Sequence, residues 1–429
     1  MSLSTRAEKV AAASGDLDHL WAIIQNIWEP DGNPTGTVSL GLAENSLMHD
    51  EFSKHLHKSL NISNHYAFTY GDGPTGTRRV KAAMARLLTK HLKTAKPIEP
   101  AHIAVTNGCS SAIEHCQWAL ANPGEGFLLG RPYYGTFVPD LTLRFGAKLL
   151  TVAFDNVDPV GEDCVRKYED VILEAQRNGQ GVAGLVISNP HNPLGRCYSR
   201  NVMTALMRLC EKYQLHFISD EIYGLSVFEN AIDKSPAPVP FCSALAIDPA
   251  GIIDPGRVHV LWGMSKDFGA NGLRMGAIIS QGNPAFISTM GSVGLYSSTS
   301  SLSDHVTANL LEDEPWVENY IKENQTKLGQ QYEKIVAWAQ KNDIEYAPGV
   351  NAAFFLWVNL GKAYLKHKPS AAAEDLDKVV TEALTAQKVF LASGVGFGSE
   401  QPGWFRIVFS HKDRYLFEGL DRIVAALET

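Results

Sequence analysis

The stretch 258–280, VHVLWGMSKDFGANGLRMGAIIS, carries the side chain best suited to covalent and proton-transfer chemistry, Lys266. An apolar run with strand-like composition ends at Gly263, Ser265 to Asp267 follow, and Arg274 precedes a second apolar run. A lysine at the end of a buried strand loses solvation and is costly unless paired or bonded. A lone S-K-D triplet also fits a solvated surface loop, so its neighbours in the fold decide. Four more polar clusters follow apolar runs: NGCSS at 107–111, RPYYG at 131–135, NPHNPLG at 189–195 and DEIYG at 220–224. Gly108, Tyr134, Asn192, Asp220, Tyr223 and Lys266 therefore each fall just past an expected strand end.

Strands are expected over 103–106, 127–130, 182–188, 215–219 and 258–262, alternating with helical segments such as 200–213. That alternation predicts a mostly parallel, buried sheet with helices on both faces, an α/β fold. Ligands of such sheets gather at the carboxyl ends of the strands. Convergence of the six residues on that edge is the main argument for a site. Upstream, 1–40 read as an arm with a short helix around 19–28 and a Pro/Gly loop; GLAENSLMHDE (41–51) reads as loop, then helix. After Ser301 a long amphipathic helix, with Trp316, Tyr320, Leu328 and Tyr332 near one stripe, leads into a smaller α+β unit. In that unit, strands are expected over 353–358, near Phe390 and over 405–409, with helices over 371–386 and at the chain end. The division expected is 1–55 as arm and part of the small domain, 56–310 as large domain, and 311–429 as small C-terminal domain.

The 429 residues carry a formal charge of −8, which argues against nucleic acid or an anionic membrane as partner. No apolar run approaches the ~20 residues of a bilayer span. Six scattered cysteines without a C-x-x-C pair point away from a disulfide framework or zinc site, and a cytoplasmic setting is expected. Gly71, Gly73 and Gly76 spell G-x-G-x-x-G, but the strand that a dinucleotide fingerprint needs is not evident before them. By contrast, Gly108 to Ser110 open a helix after a short strand, where free N–H groups suit a phosphate.

Taken together, Y-G-D-G, N-G-x-S-S, P-Y-Y, H-N-P-L-G, D-E-I-Y-G, S-K-D-F-G…R-M-G and W-F-R-I occur in an order that resembles fold-type I pyridoxal-phosphate enzymes of the class I/II aminotransferase superfamily. The resemblance spans roughly 41–410. It implies pyridoxal 5'-phosphate as cofactor, an amino acid as substrate, and a homodimer with active sites at the subunit interface. Lys266 would form the Schiff base and then move the α-proton. Asp220 would face the ring nitrogen, Asn192 and Tyr223 the phenolic oxygen, and Tyr134 the ring face. Gly108, Cys109, Ser110, Ser265 and Arg274 would hold the phosphate, with Tyr70 reaching over from a second subunit. Arg406 would grip the substrate carboxylate in a two-pronged pair. Gly263 departs from the family's frequent S-x-S-K, putting one phosphate hydrogen bond in doubt.

GLAEN (41–45), PYYGTFVPDL (132–141) and PGWFRIVFS (402–410) are similar to segments of the 1-aminocyclopropane-1-carboxylate synthase branch, while YGDGPTG departs from its Y-H-G-L. That branch implies a Glu44 that sits in the active site, helps decide reaction specificity and binds substrate, and it suggests a γ-activated amino acid such as S-adenosylmethionine, whose sulfonium a carboxylate suits. Cyclisation, γ-elimination or substitution, and transamination all begin with the same α-proton removal, so the motifs do not separate them.

Overall fold

A computed structural model describes residues 3–12, 15–62, 65–369 and 376–428. Its strands in chain order are β1 (Val38–Ser39), β2 (Ile103–Asn107), β3 (Gly126–Gly130), β4 (Lys148–Val152), β5 (Val182–Ser188), β6 (His216–Asp220) and β7 (Val258–Gly263). They continue with β8 (Met275–Ile279), β9 (Glu345–Tyr346), β10 (Phe355–Asn359), β11 (Val389–Phe390), β12 (Ala392–Ser393) and β13 (Trp404–Val408). The large sheet runs β2-β8-β7-β6-β5-β3-β4; only β8 is antiparallel to its neighbours.

Both faces of that sheet are buried, because successive side chains point to opposite sides and each side meets helices. Ala104, Phe127, Leu129, Ile218, Leu261 and Ile278 join Ala112, Ile113, Phe286 and Met290 from helices Gly108–Leu120 and Pro284–Val293 in one core. Val105, Leu128, Phe217, Val260 and Ile279 join the main core on the other face, with Val80 and Leu88 of helix Arg78–His91 and Leu206 of helix Arg200–Tyr213. The expected parallel α/β architecture is therefore present. Two strands extend it: β4 at one edge, and β8, the apolar run after Arg274, inserted between β2 and β7.

A four-stranded antiparallel sheet, β12-β13-β10-β9, forms the smaller α+β unit, entered through helix Glu314–Lys341. The strand expected near Phe390 pairs instead with β1, so the N-terminal segment joins the C-terminal unit directly. The N-terminal helix expected around 19–28 spans Gly15–Ile24, and the helix expected over 371–386 is seen as Leu376–Ala386, its first residues lying outside those described.

Candidate active site

Strand register brings the polar clusters to one edge. Ser188 pairs with Asp220 and Asp220 with Leu261, so β5 and β6 end level while β7 runs two residues further, to Gly263. Cys109, Ser110, Tyr134, Asn192, Asp220, Tyr223, Ser265, Lys266 and Arg274 all line one cavity of about 180 Å³ at this edge. Gly108 sits directly behind it.

Lys266 lies in a single helical turn, Met264–Asp267, immediately after β7, and its Nζ donates to the carbonyl of Ala43 at 2.6 Å. Burial, then the nearby Arg406 charge, lowers its ammonium pKa to about 8. Its neighbour Asp267 accepts from Leu225 N (3.1 Å), Ser226 Oγ (2.7 Å) and Trp262 Nε1 (2.9 Å). The residue next to the lysine thus pins the turn that carries Tyr223. The Tyr223 ring is also wedged edge-on against Phe354 and Phe355, with centroids at 5.3 and 5.2 Å.

Asp220 ends β6 and is 3% exposed. Among the described residues its carboxylate accepts one hydrogen bond, from Ile222 N at 3.2 Å. Burial raises its pKa to about 7. A carboxyl so sparsely satisfied in a cavity wall suits a basic partner that the protein itself does not supply.

Helix Gly108–Leu120 points its N-terminus at the same cavity with no side-chain cap on Asn107. Arg274 covers that end, donating to Asn107 O at 3.4 Å and to Asn271 O at 2.9 Å. The approach is so close that a Cβ on Gly108 would overlap the guanidinium; Gly108 also has φ +77°. Gly276 is equally constrained, since a Cβ there would lie 2.8 Å from Cys109 N. Gly263 completes the set: a Cβ would meet Met275 O at 2.6 Å. The missing serine at 263 is thus a packing consequence, because β8 runs too close for any side chain. The Cys109 thiol is pushed up by burial and stays neutral, leaving its backbone as the useful group.

Arg406, on β13, is buried without an acid partner among the described residues. Nη1 donates to Asn192 Oδ1 at 2.9 Å and Nη2 to Gly41 O at 2.7 Å, while Nε has no partner. The guanidinium lies between the rings of Phe355 (4.8 Å) and Phe397 (4.9 Å). A charge fixed this way, with only neutral hydrogen-bond partners and Lys266 as a nearby cation, suits an incoming carboxylate.

Two expected residues stand apart. Tyr70 is 97% exposed and outside the cavity. Glu44 sits at the rim, its Oε1 accepting from Asn271 Nδ2 at 2.9 Å. Asn271 lines the cavity and lies in a glycine loop with no periodic signal to single it out; Ser188 and Ile222 also line it, both at strand ends. The G-x-G-x-x-G stretch binds acids of its own: Arg78 N donates to Asp72 Oδ2 and Thr77 N to Asp304 Oδ2, both at 2.8 Å. Those carboxylates occupy the helix end where a dinucleotide phosphate would need to sit.

A lysine amine, a buried acid and an uncapped helix end thus gather at the carboxyl edge of a mostly parallel sheet. The sequence model described as aminotransferase class I and II matches residues 38–423, and the chain belongs to that family of pyridoxal-phosphate-dependent enzymes. The 1-aminocyclopropane-1-carboxylate synthase-like protein 1 of Bos taurus is 32% identical over 408 residues, covering 94% of this chain and 78% of that protein. 1-Aminocyclopropane-1-carboxylate synthase 11 of Arabidopsis thaliana is 30% identical, covering 93% and 86%. A Mus musculus relative, 30% identical over 93% of this chain and 67% of its own, is named "Probable inactive 1-aminocyclopropane-1-carboxylate synthase-like protein 2". Among solved structures, a Thermus thermophilus aspartate aminotransferase tetra mutant complexed with tryptophan superposes with TM-score 0.76 at 18% identity, covering 99% of this chain and all of that one.

Proposed function

We propose that this chain binds pyridoxal 5'-phosphate through Lys266 and removes the α-proton of an amino acid carrying a γ-leaving group, S-adenosylmethionine foremost. The observation that carries the reading is one cavity lined by the Lys266 amine, the Asp220 carboxyl and the Arg274-covered helix end. The cofactor, when bound, supplies an electron sink for charge at the α-carbon. The backbone N–H groups of Gly108, Cys109 and Ser110, the Ser265 hydroxyl and Arg274 would hold its phosphate. Asp220 would pair the ring nitrogen, Asn192 and Tyr223 would donate to the phenolic oxygen, and Tyr134 would cover a ring face.

With a pKa near 8, the Lys266 amine is neutral often enough near physiological pH to accept a proton and basic enough to hold it. Arg406 would receive the substrate carboxylate, exchanging its Gly41 carbonyl for a charged oxygen. Glu44, at the rim, favours a substrate whose distal group carries fixed positive charge, because a sulfonium cannot shed charge by losing a proton. Relatives named for 1-aminocyclopropane-1-carboxylate synthase support a reaction of that branch. Transamination is the second reading, favoured by the family's own description.

The exposed Tyr70 fits a homodimer in which it completes the neighbouring site. The sheet membership of β1 and β11 supports 1–55 and 311–429 as parts of one small domain beside a 56–310 large domain. No helix of the described residues is long and apolar enough to cross a membrane, which fits the cytoplasmic setting proposed here. The deciding assay incubates cofactor-saturated protein with S-adenosylmethionine. Release of methylthioadenosine is expected; its absence, with a keto acid formed from a simple amino acid, selects transamination instead.

A further inference from the structure

The rim of the cavity is held by a residue to which nothing above gives a role. Asn271 lies five positions after Lys266 and three before Arg274, and lines the cavity beside both. Its Nδ2 donates to Glu44 Oε1 at 2.9 Å, and its carbonyl accepts from Arg274 Nη1 at 2.9 Å. Among the described residues, no other side chain is seen bonding the Glu44 carboxylate. The backbone at Glu44 is fixed independently, because its carbonyl accepts from Ser410 Oγ at 2.6 Å. What Asn271 adds is the direction of the carboxylate itself.

We infer that Asn271 is a positioning residue that aims the Glu44 carboxylate at a substrate with a fixed positive charge beyond its γ-carbon. A glutamate side chain at an exposed rim has several rotamers and loses entropy when held in one. A carboxamide donor selects one rotamer without cancelling the charge, whereas a lysine or arginine in its place would neutralise it. A sulfonium has no N–H or O–H to donate, so its recognition rests on the field of a nearby, uncancelled charge at short range. The same residue ties that charge to the arm carrying Arg274. The Glu44 charge is also felt at the Lys266 amine, which places it within electrostatic reach of the reacting end.

This inference rests on the substrate class proposed above, and one experiment separates the two. Cofactor-saturated protein is titrated by calorimetry with S-adenosylmethionine and with S-adenosylhomocysteine, its neutral thioether counterpart lacking one methyl group. The native protein should favour the sulfonium. Asn271→Ala should cut that preference by about tenfold while leaving thioether affinity and cofactor absorbance unchanged. Glu44→Gln should erase the preference, and adding Asn271→Ala to it should change nothing further, as coupled residues require. A native protein without sulfonium preference would overturn both the substrate class and this role. A native preference that Asn271→Ala retains, or a loss of both ligands in equal measure, would overturn the positioning role alone.

Discussion

The inner and outer halves of the site are built differently. Inside, Asp220, Asn192, Tyr223 and Arg406 are all 4% exposed or less, and their positions are set by strand ends, the Asp267 anchor and two aromatic faces around the guanidinium. Outside, Tyr70, Ser110, Glu44 and Arg274 are exposed; the Glu44 carboxylate is held by one hydrogen bond and Arg274 by two backbone carbonyls. The inner half is complete within one chain and rigid, as a group that must meet a reacting atom needs to be. The outer half still has surface to offer to substrate, cofactor or a second copy. Geometry decided by the fold therefore lies next to geometry that depends on what binds.

The contrast can be broken most forcefully at Arg406. Arg406→Lys keeps the charge but loses both the fork and the stacking between Phe355 and Phe397, so KM for amino-acid substrates should rise about 10- to 100-fold with the cofactor still bound. Steady-state kinetics that match the native enzyme would remove Arg406 from the inner half. Next comes the three-glycine contact. Gly263→Ser, which would restore the family's commoner residue, should lower unfolding stability by about 1–3 kcal/mol, because its Cβ meets the Met275 carbonyl. Denaturant melts would show it; a neutral or stabilising effect would mean that β8 can yield.

The most graded effect concerns Asp220 in cofactor-free protein. Its carboxyl, raised to about 7, keeps in the folded state a proton that the unfolded chain gives up near its ordinary value of 3.8. Its contribution to stability therefore falls as pH rises from about 4 to 7. Asp220→Asn has no such proton to lose, so the variant should gain on the native protein across that window. Parallel denaturation curves at pH 5 and 7 check the sign, and an unchanged difference would mean that the carboxyl is not buried as described.

Much of the inner half was legible in the sequence because strand ends advertise themselves: VAGLVIS, LHFIS and VHVLW each stop at a polar cluster, and parallel register then lines those stops up. The outer half was less so. Asn271 sits in ANGLR, where neither periodicity nor charge marks it, and only the fold brings 271 to 44. β4 escaped because KLLTV is only partly buried and lacks the continuous apolar run of a central strand. The direction of β8 was equally hidden, since an apolar pentapeptide reads the same whichever way it pairs. The glycine at 263 looked like a lost phosphate ligand until its cross-strand partner, Gly276, explained it.

The central claim is that one amine, Lys266, links this chain covalently to pyridoxal phosphate. Borohydride reduction of the cofactor-loaded protein followed by peptide mapping tests it directly. The account predicts a single stable pyridoxyl label on the peptide containing Ser265-Lys266-Asp267. A label on any other lysine, or none on protein that demonstrably holds the cofactor, would contradict it.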